Sequence, residues 1–419
     1  MGVIVPLGLC FALGACTSFK PVPLENLDYL ERVQTTERDG LRITVSVLTR
    51  SETRKAFGKK LDSKLIQPVW LEIENATDRD YWLLLHGLDP DYFSAREAAY
   101  VSHGAANASD KGIDEYFDGL GIDPAVHAGT TRSGFVFSNL KQGTKEVRVR
   151  LLGDRELQEF EFYVTVPGLA ADWQRVDFAR LYPAEEWIDI TDPAVLRQAL
   201  EEIACCTTKK NGKGSGDPIN LAIIGSSESL SGFIRAGWDE TEITSLGSSW
   251  RTFKAFVTGS EYKYSPISAL YVFQRPQDIG LQKARDTISE RNHLRLWLAP
   301  YTYRGEFVWI GAMSRDIGVF FTTRAWNLTT HAIDPQVDEA RDYLTEDLAT
   351  AQILEGFGMV AGPGEVTRED PRKNLLGSPW WTDGRRAVLL LTTERVPLEQ
   401  IRVLEQSDYF IRMELSPIN

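Results

Sequence analysis

One stretch of the chain alternates charged and apolar side chains, and it decides the fold that we expect for the second half: Arg291-Asn292-His293-Leu294-Arg295-Leu296-Trp297-Leu298. Successive side chains of a β-strand point to opposite faces. The predicted strand therefore directs Leu294, Leu296 and Leu298 into a core. Its other face carries Arg291, His293, Arg295 and Trp297, spaced by about 7 Å. We expect a layered fold in which this strand has an apolar face and a charged face.

Two arginines and a histidine in a row favour an anion, because planar guanidinium groups match the oxygens of a phosphate or a carboxylate. Arg291, His293 and Arg295 are therefore candidate anion-binding residues. Arg341 is a fourth candidate, on a helix that is predicted from Pro335 to about Leu348. The buried stripe of that helix consists of Val337, Ala340, Leu344 and Leu348.

Arg341 falls on this apolar stripe, so the sequence predicts that it is buried. An unpaired buried charge is very costly, and the arginine therefore needs a carboxylate partner. Asp278 and Asp316, each beside a predicted strand end, are the candidate partners.

A divalent-metal site is another interpretation of the same region. The supporting residues, which are also candidate metal ligands, are Asp278, Asp316, His331, Asp334 (the predicted helix cap) and Asp338. The sequence has no H-E-x-x-H spacing, no G-x-S-x-G motif, no phosphate-binding loop and no dinucleotide fingerprint. Three interpretations of the charged residues stay open: a buried ion network, a binding site for an anionic envelope ligand, and a metal-dependent phosphoester hydrolase.

Helices and strands alternate irregularly in the rest of the second half, which favours an α+β fold with a mixed α/β domain at residues 185–400. Asp192 and Pro193 begin a predicted helix that runs to about Ala204. Further helices are predicted from Ser226 or Ser227 to Trp238 and between Thr241 and Val257. Strands are predicted at 221–225, 269–273, 293–298, 307–312, 317–321 and 387–391.

The first half reads as an antiparallel β-sandwich domain at residues 36–168, because short stretches alternate at period two between turn-rich segments. A long insertion from Asp91 to 129 is expected to contain short helices. Five aromatic residues lie close together in this half: Trp70, Tyr81, Trp82, Tyr92 and Phe93. We expect them in the sandwich core, with an aromatic protein-binding or glycan-binding surface as the alternative.

The N-terminus resembles that of an exported bacterial lipoprotein. Residues 1–15 read as a signal peptide, since the apolar run is short and ends in small residues. The quartet Leu13-Gly14-Ala15-Cys16 is similar to a lipobox, which implies lipidation of Cys16 and a lipid-anchored tether at residues 16–35. Thr17 is not the aspartate that marks inner-membrane retention. We therefore expect a cell-envelope location, in the outer membrane or facing the periplasm.

The formal net charge of −13 argues against nucleic acid as a partner and against electrostatic docking on anionic lipid. The expected contact with a membrane is therefore the lipid anchor. Cys205 and Cys206 are adjacent, and a disulfide between neighbouring cysteines needs a strained ring. We expect two thiols at a helix end, one buried and one exposed, with a vicinal disulfide as the alternative.

Several spaced motifs resemble the LssY C-terminal domain family, in order over about residues 215–395. They are Phe273-Gln274-Arg275-Pro276-Gln277-Asp278, the stretch at 291–297, Val308-Trp309-Ile310-Gly311-Ala312 with Asp316-Ile317-Gly318, and His331-Ala332-Ile333-Asp334 with Asp338 and 341–344. Gln274 stands where the family pattern has Gly, and Ala340 where it has Glu.

The resemblance implies a membrane setting, because this family often accompanies phosphatidic-acid-phosphatase-like membrane domains. It implies no reaction of its own. A phosphatase-like or export membrane protein is therefore an expected partner. Together with the charged residues, this predicts an accessory or binding protein for an anionic, phosphate-bearing envelope ligand, and the metal-dependent hydrolase remains the alternative.

Overall fold

The computed structural model describes residues 19–103, 110–242, 267–284, 291–321 and 329–404, and these residues form two compact units. One unit consists of the residues up to Lys141 together with Val147–Val166. The other consists of Gln142–Glu146 together with the residues from Pro167 onward. The fold class is α+β, as the sequence predicts.

Antiparallel sheets build the first unit. Its strands are β1 (Gln34–Arg38), β2 (Leu41–Val47), β3 (Ile66–Asn75), β4 (Tyr81–Leu83), β5 (Ala125–Val126), β6 (Thr130–Asn139), β7 (Gly143–Gly153) and β8 (Glu156–Val166). One sheet has the order β1-β2-β3-β6 and another the order β5-β4-β7-β8. Val45 and Leu71 of the first sheet pack in one core with Val149 and Phe162 of the second. The predicted β-sandwich is therefore confirmed.

Helices flank the sandwich: α1 (Arg50–Phe57), α2 (Leu85–Leu88), α3 (Ala95–Tyr100) and α4 (Lys111–Leu120). The last two lie in the predicted insertion and are the short helices expected there. Helix α1 was not predicted from the sequence, although its capping box of Thr49 and Glu52 is a recognisable helix start. Among the five aromatic residues, Tyr81 is in the core but Trp82 is 53% and Tyr92 37% exposed, so the core prediction was wrong for these two.

The second unit contains α5 (Pro193–Glu201), α6 (Gly232–Arg235) and α7 (Val337–Thr350). Its strands are β9 (Ile188–Ile190), β10 (Leu221–Ile224), β11 (Asp239–Glu240), β12 (Tyr271–Val272), β13 (Arg275–Pro276), β14 (Ile279–Ala284), β15 (Arg291–Tyr303), β16 (Glu306–Phe321), β17 (Thr329–Ile333), β18 (Leu354–Ala361), β19 (Arg372–Lys373), β20 (Pro379–Trp380), β21 (Arg385–Leu391) and β22 (Arg402–Val403). Single 3₁₀ turns in the chain lie at Leu24–Asn26, Asp28–Arg32, Leu61–Lys64, Asp172–Arg175, Phe178–Arg180, Ala184–Glu186, Ser229–Ser231 and Leu398–Gln400.

A mixed sheet is the centre of this unit. Its strands follow the order β11-β14-β15-β16-β10-β21-β18-β22, with β17 paired to β16 and β9 paired to β15. The pair β14–β15 and the pair β15–β16 are antiparallel, whereas β10 and β21 are parallel. The mixed α/β second domain is therefore confirmed as a fold class.

Both faces of this sheet are buried, because β15 contributes to an apolar cluster on each side. Leu294, Leu296 and Leu298 pack with α7 on one face, as the alternation predicts. Trp297 is fully buried on the opposite face, where α5 packs. The charged residues of β15 therefore lie on a covered face of the sheet and not on an open surface.

Several predicted helix bounds need correction. Asp334 does not cap α7: its side chain accepts a hydrogen bond from the Gln336 N–H, an Asx turn that delays the helix to Val337. Ser226 caps only a 3₁₀ turn at Ser229–Ser231, so α6 begins at Gly232, and Gly237 at φ +83° follows its end. The helix predicted between Thr241 and Val257 lies, beyond residue 242, outside the described residues.

Within the described ranges, no helix is long and apolar enough to cross a membrane.

Candidate functional site

The candidate anion-binding residues of β15 lie side by side on its covered face. Arg291, His293 and Arg295 are only 2%, 7% and 5% exposed. Cross-strand partners share a face, so Ser314 of β16 and Gln282 of β14 flank His293. The alternation of the sequence thus brings the cations together, and the fold removes them from bulk water.

Arg291 has few partners for a buried cation. Its Nη1 donates a hydrogen bond to Gln282 Oε1 at 2.7 Å, while its Nε has no hydrogen-bond partner. In the described part of the chain, no carboxylate lies within 4.0 Å of its guanidinium. Burial lowers the pKa of Arg291, and the more distant Asp316 opposes this only in part. A buried guanidinium with this little compensation is unusual in a purely structural network.

Arg295 has an acid nearby, although not in close contact. Its Nη1 is 3.8 Å from Asp217 Oδ2, and its Nε donates to the Ser268 carbonyl at 3.2 Å. Asn374 Nδ2 in turn donates to Asp217 Oδ1 at 2.9 Å. Burial lowers the pKa of Arg295 as well. Asp217 and Asn374 were not predicted as site residues from the sequence, where the one signal was an acid shortly before the buried strand β10.

His293 and Asp316 complete the group, with 3.6 Å between Nε2 and Oδ2. Asp316 is 3% exposed, and burial raises the pKa of its carboxyl to about 7, while Arg291 and Arg295 both act to lower it. Asp316 therefore lies within electrostatic reach of both guanidinium groups. The polar cluster, as we call it below, consists of Arg291, His293, Arg295, Asp217 and Asp316.

Asp172 borders this cluster from a preceding 3₁₀ turn. It accepts a hydrogen bond from Gln277 Nε2 at 3.2 Å, and a Cβ at Gly280 would be 2.6 Å from its Oδ2. Gly280 pairs with Arg295 in register, so the glycine leaves room for the carboxylate next to the arginine. Burial raises the pKa of Asp172 to about 6. No sequence motif marked this residue.

The Asp278 carboxylate is bound by Arg275 and by a backbone N–H, not by Arg291, Arg295 or Arg341. Its two carboxylate oxygens accept hydrogen bonds from Arg275 Nε and Nη2, both at 2.9 Å. The Leu298 N–H also donates to it, at 2.7 Å. Asp278 therefore binds both Arg275 of β13 and the backbone of Leu298 in β15, and these bonds hold β13 against β15.

Arg341 is buried and paired, as predicted, but with other acids than the two proposed. It is 3% exposed, and Asp383 binds its Nη1 at 2.8 Å and its Nη2 at 3.2 Å. Asp342 binds Nε at 2.8 Å, and Asp338 lies 3.2 Å from Nη1. Burial lowers the pKa of Arg341, but its bonds to Asp383 and Asp342 outweigh this and raise it.

The prediction of Asp278 or Asp316 as partners of Arg341 was wrong because α7 packs on the leucine face of the sheet. Its arginine reaches the turn before β21, where Asp383 lies. Asp338 also belongs there, since it accepts hydrogen bonds from Thr382 Oγ1 and the Asp383 N–H. The Arg341 cluster, formed by Arg341, Asp338, Asp342 and Asp383, is separate from the polar cluster.

The remaining candidates have these outcomes. Asp334 is half-buried and forms the turn before α7. The side chain of His331 and the whole of Cys16 lie outside what the structure describes. Among the described residues, no group of three or more His, Cys, Asp or Glu side chains is arranged to hold a metal ion.

Cys205 and Cys206 form a vicinal disulfide, so the expectation of two thiols was wrong. The helix α5 ends at Glu201, and the cysteines lie beyond it in an extended segment, where Cys206 pairs with Pro218. Arg372 Nη1 donates to Cys205 Sγ at 3.2 Å.

Comparison with known families agrees with the predicted resemblance. Residues 197–385 match the family model described as LssY C-terminus. A search of curated proteins found no match. The matched range holds both the polar cluster and the Arg341 cluster, whereas Asp172 lies before it. Over residues 197–385, the chain is thus similar to the LssY C-terminal family.

Proposed function

We propose that this chain is a lipid-anchored protein of the bacterial cell envelope that binds an anionic, phosphate-bearing ligand through Arg291, His293 and Arg295. The proposal is carried by the surroundings of Arg291, which is 2% exposed. Its guanidinium has no ion-pair partner within 4.0 Å among the described residues and donates a hydrogen bond to one neutral amide, that of Gln282. Burying such a charge costs free energy that an oxyanion would offset.

The neighbouring groups support the same ligand class. Arg295 is 3.8 Å from its nearest carboxylate, a distance longer than a charge-assisted hydrogen bond of about 2.7–2.9 Å. His293 lies between the two arginines on the strand. Phosphate oxygens accept several hydrogen bonds at once, which suits guanidinium groups that present donors in a plane.

A phosphate titration tests the binding site. Full-length lipidated protein in detergent micelles is titrated with inorganic phosphate by calorimetry, and Arg291→Gln is compared with Arg315→Gln. Arg315 is the matched control because it has the same charge but lies on the other face of the same strand pair, bound to Asn292 and stacked on Tyr343. We expect Arg291→Gln to weaken binding by about tenfold or more.

Arg315→Gln should change phosphate affinity less than about twofold, because screened charges outside a site contribute little. Equal losses of phosphate affinity in the two variants would mean that phosphate binding depends only on the net charge of the protein. Wild-type protein that binds no phosphate would refute the proposed function.

Lipid anchoring is tested separately by Cys16→Ser. The variant should leave the membrane fraction and appear in the soluble fraction of broken cells, because the thiol that receives the lipid is gone and the acidic surface gives no electrostatic attachment. Cys10→Ser is the control, since that residue lies within the predicted signal peptide. Retention of Cys16→Ser in the membrane pellet at the wild-type level would refute the anchor.

A further inference from the structure

The disulfide between Cys205 and Cys206 contributes little to the stability of the fold. A cross-link stabilises a protein mainly by closing a loop in the unfolded chain, and the effect grows with the length of that loop. Between adjacent residues no other residue is enclosed, so the unfolded chain loses almost no freedom. The chemistry of the bond is therefore a better explanation for two adjacent cysteines than its strength as a cross-link.

The two sulfur atoms have different surroundings. Cys206 is 9% exposed and belongs to an apolar cluster with Val366 and Trp380, whereas Cys205 is half-buried and packs against that cluster. A thiol from solution therefore reaches Cys205 first. Reactive cysteines are in general partly exposed and lie near positive charge, whereas inert structural ones are buried. Cys205 meets the first of these two conditions.

Arg372 supplies the positive charge. Its Nη1 donates a hydrogen bond to Cys205 Sγ at 3.2 Å, and its guanidinium lies over the Trp380 ring, 5.8 Å from the centroid. The pairing of β19 with β20 places Arg372 opposite Trp380. In the described part of the chain, no carboxylate lies within 4.0 Å of this guanidinium. Its charge is therefore available to stabilise a thiolate on Cys205.

We propose that Cys205 and Cys206 form a redox-active site that exchanges with an external dithiol, such as the Cys-x-x-Cys pair of a thiol–disulfide oxidoreductase, and that Arg372 stabilises the Cys205 thiolate. A thiolate of the dithiol attacks Cys205 Sγ and forms a mixed disulfide, while Cys206 leaves with the electron pair and takes up a proton.

The second thiol of the dithiol completes the exchange. After losing its proton, it attacks the dithiol's own sulfur in the mixed disulfide and releases Cys205 as a thiolate beside Arg372. Two electrons have then passed from the dithiol, which becomes a disulfide, to the two cysteines.

The test treats full-length protein in micelles with dithiothreitol and counts thiols by alkylation. Mass spectrometry of the tryptic peptide of residues 198–209 reports on Cys205 and Cys206 apart from Cys10 and Cys16. Both cysteines of this peptide should be alkylated after reduction and neither before it. Reduction should lower the melting temperature by less than about 3 °C, because the bond closes no loop.

Glutathione, a monothiol, stops the exchange at its first step. When Cys206 is alkylated at once, fragmentation of the peptide should place the glutathione on Cys205, the more exposed of the two sulfur atoms. Glutathione on Cys206 would refute the proposed order of attack.

The variant Arg372→Gln tests the guanidinium. In the reduced protein, iodoacetamide should alkylate Cys205 at least about threefold more slowly than in wild type, because loss of a neighbouring positive charge raises the pKa of a thiol by about 1 and lowers its thiolate fraction. Arg372→Lys should restore part of the rate. Arg368→Gln is the matched control, since Arg368 carries the same charge in the same segment but lies over the Trp381 ring, and its rate should equal that of wild type.

Several outcomes would overturn the proposal. A disulfide that resists dithiothreitol in the folded protein, or free thiols in protein purified under air, would refute the redox site. A large fall in melting temperature on reduction would show a structural cross-link instead. Equal alkylation rates in wild type and Arg372→Gln would refute the role of Arg372. None of these measurements involves phosphate, so failure here is distinct from failure of the proposed anion site.

Discussion

Arg341 and Arg291 are buried to nearly the same extent in the second unit, at 3% and 2% exposure, but they meet opposite surroundings. Asp383, Asp342 and Asp338 surround the first, two of them at 2.8 Å. The second donates to one neutral amide. A buried cation that already has its acids stabilises the fold but has little left to offer a ligand. A buried cation without them costs stability and has donors available.

The largest expected effect follows from giving both positions the same substitution. Arg341→Met should lower the free energy of unfolding by about 3–5 kcal/mol, because buried Asp338 and its two neighbours would lose their shared cation. Arg291→Met should lower it by less than about 1.5 kcal/mol, since only the bond to Gln282 is lost and the desolvation cost of the charge disappears.

The chain has two compact units, so unfolding of the second unit must be followed separately. We propose to measure hydrogen exchange of peptides from α7 and β15 at increasing denaturant concentration, which gives the free energy of unfolding of this unit for each variant. Asp342→Asn is the control at the periphery of the Arg341 cluster, because the side chain of Asp342 is 52% exposed. It should cost less than about 1 kcal/mol. Equal losses for Arg291→Met and Arg341→Met would abolish the distinction between the two clusters.

Local periodicity predicted the features that depend on a few neighbouring residues. Period two placed Arg291, His293 and Arg295 on one face of β15, and period 3.6 placed Arg341 on the buried stripe of its helix. Both patterns are properties of a single element. They are therefore readable without knowing what packs against it.

Partners were mispredicted because they come from distant parts of the chain. Asp383 reaches Arg341 across 42 residues, through a turn whose position depends on the pairing of β21 with β10 and β18. Asp217 and Asp172 approach Arg295 from segments that show no pattern of their own. Asp278 is the exception, because its partner Arg275 is only three residues away, and the sequence did not show that the turn between them would bring the two side chains together.

The two clusters should also respond to pH in opposite directions. Burial raises the pKa of Asp316 to about 7, above its unfolded value, so the folded state holds a proton that the unfolded state has lost. This group therefore destabilises the fold progressively as pH rises from about 4 to 7. Asp383 behaves the other way: burial raises its pKa, but the hydrogen bond from Arg341 outweighs burial and lowers it, so its stabilisation is lost as pH falls below the unfolded value.

The substitution Asp316→Asn isolates the loss of stability with rising pH that is due to Asp316. Between pH 5 and pH 7.5, the unfolding free energy of wild type should fall by about 2 kcal/mol relative to the variant, because the amide does not titrate. His293 Nε2 lies 3.6 Å from Asp316 Oδ2, so the comparison is repeated in a His293→Gln background. Persistence of the difference there assigns it to the carboxyl group. If the free energy of unfolding depends on pH in the same way for wild type and Asp316→Asn, the buried charges of the polar cluster are as well neutralised as those of the Arg341 cluster. The contrast between Arg291 and Arg341 would then lose its electrostatic basis.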